Sequence, residues 1–294
     1  MRDYNRKLVE IVASQALKKM KKDPKRELRR LVDFGKTMAK GNNQNEFFDL
    51  AQDIIESENS KYYTMLDSIF GKFDNKKLKE FSLNFGYNGL IRGAKKIQDN
   101  MDFNISWMHE FSEKDLSKDD LNSEINNLKD RGIYIYTIFP NDKNHLDKVE
   151  EIARKNQDCA FIMFLNDIDI PNNIIKLDNL IMLIDSKSMK QLDNLDMKNF
   201  VGIWHSFSDS NYKEILDGKL ARVCENNNLP FLIFVNDKAS KDVEREIAEY
   251  AYRERFKPKY AAFTIEYEND IRRINKMILN KNVKPKLQNA DAKN

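Results

Sequence analysis

Cysteine is scarce in this sequence, whose 294 residues include only Cys159 and Cys224. Two thiols are too few for a disulfide framework or for a metal centre built from cysteines. Cys159 begins the apolar run CAFIMF, and Cys224 follows a segment of helical spacing. Both are therefore predicted to be free thiols packed in the protein core.

Long apolar runs are also absent. No run approaches the roughly 18–20 residues that a membrane-spanning helix needs, and the first twenty residues show no pattern of a secretory signal. We therefore expect a cytoplasmic protein. The 50 basic and 47 acidic residues leave a net charge of +3, which gives no global argument for nucleic-acid binding. The exception is the basic run from Lys18 to Arg30, which is either a solvated helix face or a contact for an acidic partner, RNA or an anionic membrane.

Several motifs with a known chemistry are missing as well. GxGxxG and GxxxxGK[ST], the usual nucleotide-binding fingerprints, follow none of the apolar runs. HExxH is absent, and no serine or cysteine lies in a G-x-S-x-G elbow, so nothing in the sequence supports a zinc protease or an α/β-hydrolase.

Residues 1–103 carry apolar positions at helical spacing and no segment that predicts a strand. Asp23 and Pro24 fit the N-cap and the first residue of a second helix, and Gly71 fits the end of a fourth. The stretch from Phe85 to Asn100, which contains three glycines, predicts a turn followed by another helix. This part of the chain is predicted to form an all-helical N-terminal region.

From Asn104 onward, short runs rich in Ile, Phe, Tyr and Met alternate with segments of helical spacing. This alternation predicts βα units and a parallel sheet, with strands that are apolar on both faces. The predicted strands lie near residues 105–111, 132–139, 159–165, 179–184, 200–205, 230–236 and 259–266. The predicted helices lie near residues 117–130, 144–156, 186–194, 209–226, 239–256 and 268–280. The pattern alone fits either part of a barrel or an open doubly wound sheet, and residues 281–294 are predicted to be a disordered polar tail.

Polar residues stand at the C-terminal ends of the predicted strands, where parallel βα barrels carry their sites. These candidate pocket residues are His109, Glu110, Asn141, Asp142, Asn166, Asp185, His205, Asn236, Asp237 and Glu266. A polar ring is expected of any such fold because the strands exit into solvent, so a purely structural role is the alternative. If the ring is functional, His109 and His205 are its strongest candidates for acid–base chemistry or metal binding. Their spacing in the sequence matches no metal-site signature.

Four phrases of the sequence resemble, in order, units of the radical S-adenosylmethionine superfamily. They are NFGYNGLIRGAKKIQDNMDFNISW, LSKDDLNSEINNLKDRGIYIYTIF, HLDKVEEIARKNQDCAFIMFLN and YRERFKPKYAAFTIEYEND. Together they span the chain from Asn84 to Asp270. The resemblance implies an α/β fold in which residues 104–280 form a partial (β/α) TIM-like barrel of six to seven parallel strands, preceded by the helical N-terminal region.

The same resemblance draws attention to what this chain lacks. The family carries C-x3-C-x2-C after its first strand, and the three thiolates hold a [4Fe–4S] cluster that leaves one iron open for S-adenosylmethionine. Here the first strand passes directly into SEKDLSKDD, whose side chains cannot replace three soft ligands. The family's GGEP motif after the second strand reads Phe139-Pro140-Asn141-Asp142. We therefore predict no cofactor and no [4Fe–4S] cluster, and keep S-adenosylmethionine only as an open alternative ligand.

Three functional hypotheses follow. The leading one is a pseudoenzyme that acts as a binding or regulatory subunit and meets a protein partner through its helical N-terminal region. The second is an enzyme or small-molecule sensor with a repurposed pocket, which requires His109, His205, Asp185 and Glu266 to lie within mutual reach. The third and weakest is nucleic-acid binding through the basic run, with a salt-dependent affinity.

Overall fold

A computed structural model describes residues 4–20, 22–38, 42–56, 60–73, 75–100, 105–118, 120–166, 170–188 and 200–279. Within these ranges, no helix combines the length and the apolar character that crossing a membrane would require. The predicted tail at residues 281–294 and most of the helix predicted near residues 186–194 lie outside the described residues, and Ser186 to Ser188 form a single 3₁₀ turn.

The described part of the N-terminal region is helical, as predicted. It contains α1 (Tyr4–Met20), α2 (Pro24–Met38), α3 (Asn42–Glu56), α4 (Lys61–Lys72), α5 (Asn75–Ser82), a π-helix (Leu83–Gly93) and α6 (Ala94–Asn100). Val32, Ile55 and Tyr63 form a small core between these helices. Ala94 and Ile97 belong instead to the large core of the second half of the chain, so the last helix of the N-terminal region packs against the sheet region.

Seven parallel strands form one sheet that is curled into a half-barrel. The strands are β1 (His109–Phe111), β2 (Ile135–Ile138), β3 (Ala160–Leu165), β4 (Leu180–Asp185), β5 (Gly202–Phe207), β6 (Phe231–Asn236) and β7 (Phe263–Glu266). The helices are α7 (Glu113–Leu116), α8 (Leu121–Arg131), α9 (Lys143–Lys155), α10 (Asn172–Ile175), α11 (Lys213–Leu216), α12 (Lys219–Asn226), α13 (Lys241–Phe256) and α14 (Tyr267–Ile278). The predicted fold class, a partial (β/α) barrel behind a helical region, is confirmed.

The strands follow one another in sheet order from β1 to β7. Parallel strands joined in this order by right-handed crossovers place the helices on one face, the outer face of the half-barrel. Side chains on that face contact the helices: Thr264 Oγ1 donates to the Ala251 carbonyl of α13 at 2.9 Å, and Phe234 packs against Tyr250. The other, concave face is less completely covered. Phe231 and Val235, which lie on it, are only half-buried.

Local signals set most of the helix ends. Gly132 ends α8 in the left-handed conformation with φ of +106°, which only glycine adopts without strain. The helix predicted near residues 117–130 is present as α8, and the short helix α7 precedes it. Ser112 and Asp115 form a capping box that begins α7, and Asp120 then caps α8.

The turn predicted after Phe85 is wrong, because Leu83–Gly93 forms a π-helix. Its glycines allow a close approach: a Cβ atom at Gly93 would overlap the carbonyl oxygen of Gly132, and one at Gly89 would overlap the Ile135 side chain. The buried Asn84 amide donates to the Gln157 and Cys159 carbonyls at 2.7 and 3.0 Å, immediately before β3. Tertiary contacts thus hold a helix together where the glycines indicate a turn.

Candidate functional site

The strand register divides the predicted polar ring between the two faces of the sheet. His109 lies opposite Tyr136, and both His205 and Glu266 lie in register with Phe234. Tyr136 and Phe234 are completely buried on the helix-covered outer face. Because side chains alternate along a strand, His109, His205 and Glu266 point toward the helices and away from the concave face.

Glu110 and Asp185 are the predicted residues that face the concave side, in register with Thr137 and Trp204. The structure therefore does not bring His109, His205, Asp185 and Glu266 together into one pocket. The two histidines are also far apart, since β1 and β5 are separated by four strand spacings, or about 19 Å along the sheet.

Aromatic side chains pack together on the concave face next to Glu110. Phe139 stacks on Phe164 with ring centroids 4.4 Å apart, and Trp204 meets Phe139 edge-on at 5.8 Å. Tyr267 packs against Phe164 at 5.6 Å. Interleaved rings at these distances leave little space between them. We call these four residues, Phe139, Phe164, Trp204 and Tyr267, the aromatic cluster.

Tyr267 also ties the two sides of the half-barrel together. Its hydroxyl donates to Glu110 Oε2 at 2.9 Å and lies 2.6 Å from the Thr137 hydroxyl. Burial raises the pKa of Tyr267 well above its usual value, so the phenol stays protonated and can donate. A residue that follows β7 thus reaches β1 and β2 across the concave face.

His205 contacts Ser186, a residue next to the predicted ring. Ser186 Oγ lies 2.7 Å from His205 Nδ1, while Nε2 is buried and has no hydrogen-bond partner in the described part of the chain. The Asp185 carboxylate accepts from the Ser186 hydroxyl and the Lys187 amide rather than from the imidazole. Burial lowers the pKa of His205, and a proton on the imidazole would leave a buried N–H unpaired. The pair is therefore a poor nucleophile and base.

His109 sits in a similarly apolar place. Its ring meets Phe111 edge-on with centroids 4.9 Å apart, and its Nε2 is 4.0 Å from Glu124 Oε1 of α8. Burial lowers the pKa of His109, so the imidazole is neutral near pH 7. The ring packs as a core side chain does, and its buried Nε2 has no hydrogen-bond partner among the described residues.

Glu266 serves the start of α14. Its carboxylate accepts from the Asn269 amide at 2.6 Å, which makes it the N-cap of that helix. Asp270 accepts from the Glu266 amide and from Arg255 at 2.8 Å. Burial raises the pKa of Glu266 to about 7, and Oε1 has no partner among the described residues.

Most other members of the predicted ring shape turns. Asp142 Oδ1 accepts from the His145 amide at 2.8 Å and caps α9, and the preceding Asn141 amide donates to His145 Nδ1 at 3.3 Å. Asn236 Oδ1 accepts from the Ala239 amide at 2.8 Å. Two further members, Asn166 and Asp237, are exposed. These are the contacts expected of polar side chains where strands pass into helices.

The residues present do not fit an iron–sulfur cluster. The resemblance would place three cluster ligands after β1, and the Ser112–Asp115 capping box, which has no cysteine, follows that strand at once. Cys159 and Cys224 are free and buried, and burial raises the pKa of both thiols, that of Cys224 to about 12. Among the described residues, no three His, Cys, Asp or Glu side chains are grouped so that they could hold a metal ion.

Comparisons with protein-family models, with curated proteins and with solved structures find no match for this chain. The resemblance to the radical S-adenosylmethionine superfamily therefore stays a prediction from the sequence. The α/β half-barrel behind a helical region is the class of protein that the fold defines.

Proposed function

We propose that this chain is a cytoplasmic pseudoenzyme with a radical-S-adenosylmethionine-like scaffold, acting as a binding or regulatory subunit. The observation that carries the proposal is the use of the strand ends. Glu266, Asp142 and Asn236 cap helices and turns, and the two histidines pack against the outer layer. The positions where a barrel enzyme places its chemistry are occupied here by structural contacts.

The aromatic cluster supports the same reading. Trp204 is only 8% exposed, and its indole N–H donates to the Leu165 carbonyl at 3.0 Å. Phe139 stands where the family motif GGEP has its first glycine, and it stacks on Phe164. Large rings thus pack together on the concave face beside the strand ends, which supports a scaffold without a cofactor pocket.

The experiment is anaerobic reconstitution with iron and sulfide, followed by calorimetric titration with S-adenosylmethionine. We expect background iron only and no heat of binding. The Cys159→Ser/Cys224→Ser double variant is the matched control, because it measures iron uptake that no thiol supports. Stoichiometric iron and sulfide in the unmodified chain, absent from the double variant, would contradict the proposal.

A second candidate, a small-molecule sensor at the strand ends, is favoured by one observation. Glu110 is exposed on the concave face, and its carboxylate accepts from Tyr267. Titration with S-adenosylmethionine before reconstitution tests this candidate directly. Binding without a cluster that is lost in Glu110→Gln would support a sensor and displace the first proposal.

A further inference from the structure

The first two helices present side chains that no described residue covers. Two large apolar side chains are exposed among the described residues, and both lie on α1: Leu8 at 45% and Ile11 at 55%. The opposite side of α1 packs inward, with Ala16 and Met20 each 2% exposed. Leu8 and Ile11 therefore do not contribute to the packing of α1 against the rest of the protein.

Exposed cations follow this face along the chain, from the end of α1 to the start of α2. Residues three or four apart lie on one side of a helix, and Leu8, Ile11, Gln15 and Lys18 follow that spacing, with all four exposed. The short turn after α1 then presents Lys22, and the first turn of α2 presents Arg26. We call these six exposed residues, Leu8, Ile11, Gln15, Lys18, Lys22 and Arg26, the hairpin surface.

Five described cations of the basic run fall into two groups. Arg29 donates to the carbonyls of Ile55 and Glu56 at the end of α3, and Arg30 pairs with Glu27 at 3.6 Å. Lys18, Lys22 and Arg26, by contrast, have no side-chain partner among the described residues. Arg29 and Arg30 thus stabilise the helical region, whereas Lys18, Lys22 and Arg26 make no side-chain hydrogen bond or ion pair with the residues that the structure describes.

The position of Arg26 opposes local stability. It lies in the first turn of α2, where the helix dipole disfavours a positive charge. Lys18, in the last turn of α1, suits the dipole there. Arg26 therefore points to a use outside the chain.

We infer that the hairpin surface docks an acidic protein segment whose carboxylates meet Lys18, Lys22 and Arg26 and whose apolar side chains cover Leu8 and Ile11. The inference rests on the proposed function and adds the chemistry of the partner. Charge complementarity requires the negative partner, and the apolar pair at one end favours a protein.

The two other anionic partners fit less well. Single-stranded nucleic acid is bound by stacking its bases on aromatic side chains, and the hairpin surface has none. A membrane surface is bound by a helix with a wide apolar face, and the apolar face of α1 is already buried against the protein. Both remain outcomes that the experiment distinguishes.

The test is photocrosslinking of the full-length chain in its native cells. One chain carries a benzophenone amino acid in place of Gln15, at the centre of the hairpin surface, and a second carries it in place of Glu110 at the concave mouth. We expect a protein adduct at Gln15, with the crosslinked partner peptide rich in Asp and Glu. The identified partner is then purified, and its affinity is measured by titration.

Charge reversal supplies the decisive comparison. Lys22→Glu/Arg26→Glu should lower the affinity for the purified partner at least tenfold at low salt, and this loss should shrink as ionic strength rises. Lys219→Glu/Lys241→Glu is the matched control, because it reverses two exposed lysines at the first residues of α12 and α13 and should leave the affinity unchanged. The melting temperature of the first variant should not fall, since a glutamate three residues after Asp23 suits the helix start.

Several results would overturn the inference. These are an adduct with RNA or lipid at Gln15, a crosslinked peptide without acidic residues, an unchanged affinity in Lys22→Glu/Arg26→Glu, or no adduct at Gln15. A protein adduct at Glu110 alone would refute this docking surface while leaving the proposed binding function intact. Stoichiometric cluster reconstitution would instead refute the proposed function, whatever the crosslinks show.

Discussion

Gly86 and Gly93 lie in the same π-helix and face opposite surroundings. A Cβ atom at Gly86 would meet nothing within 4 Å, whereas one at Gly93 would overlap the Gly132 carbonyl oxygen. Gly132 cannot move away easily, because its backbone with φ of +106° forms the C-terminal cap of α8. Replacing each glycine by alanine therefore tests how this helix packs. We expect the change in the free energy of unfolding to have opposite signs at the two positions.

The magnitudes follow from two terms. Alanine in place of an unhindered helical glycine gains about 0.5–1 kcal/mol, so Gly86→Ala should stabilise the protein by this amount. Gly93→Ala gains the same propensity term, but overpacking against backbone costs about 1–3 kcal/mol. With a backbone neighbour the upper part of that range applies, and we expect a net loss of about 1–2 kcal/mol. The two variants should differ by about 2–3 kcal/mol.

Urea unfolding followed by tryptophan fluorescence measures this difference, since Trp107 and Trp204 are 5% and 8% exposed in the folded protein. The midpoint should rise in Gly86→Ala and fall in Gly93→Ala, with equal slopes. A midpoint for Gly93→Ala at or above that for Gly86→Ala would refute the contact between the π-helix and the Gly132 turn.

Three further predictions concern buried polar groups. Burial raises the pKa of Glu266 from its usual 4.5 to about 7, so the folded state binds this proton more tightly and the free energy of unfolding falls as pH rises between these values. Glu266→Gln should remove that fall and be more stable by roughly 3 kcal/mol at pH 8, as urea unfolding at pH 4 and pH 8 would show. Tyr267→Phe should cost about 1–3 kcal/mol in the same assay, because the buried Thr137 hydroxyl loses its partner; an unchanged midpoint would argue against this bond. Ellman's reagent at pH 8 should react with Cys159 and Cys224 only after unfolding, because burial raises the pKa of both thiols.

The strands were predictable because each is a short apolar run between turn signals and helical segments. β3 was predicted at residues 159–165 and lies at Ala160–Leu165, and β6 was predicted at residues 230–236 and lies at Phe231–Asn236. The π-helix was not predictable. Its glycines are local signals for a turn, and the backbone that explains Gly93 belongs to Gly132, far along the chain.

The sequence could not predict which face of the sheet each strand-end side chain lies on, for a different reason. Strands that are apolar on both faces show no alternation, so the pattern does not say which of His205 and Ser206 points outward. The register with Phe234 decides it. The contact between Ser186 and His205 joins two neighbouring strands and needs that register as well. The capping roles of Asp142 and Glu266, by contrast, follow a local rule that the sequence alone could have suggested.

The sequential strand order also governs how the chain assembles while it is being made. Each strand pairs with the strand synthesised just before it, so the sheet can extend at one edge as residues leave the ribosome. The last helix is the exception. The Trp107 indole N–H donates to Ile271 and Tyr267 donates to Glu110, across 164 and 157 residues. A nascent chain can therefore pair all seven strands before Trp107 and Glu110 gain their hydrogen bonds to α14.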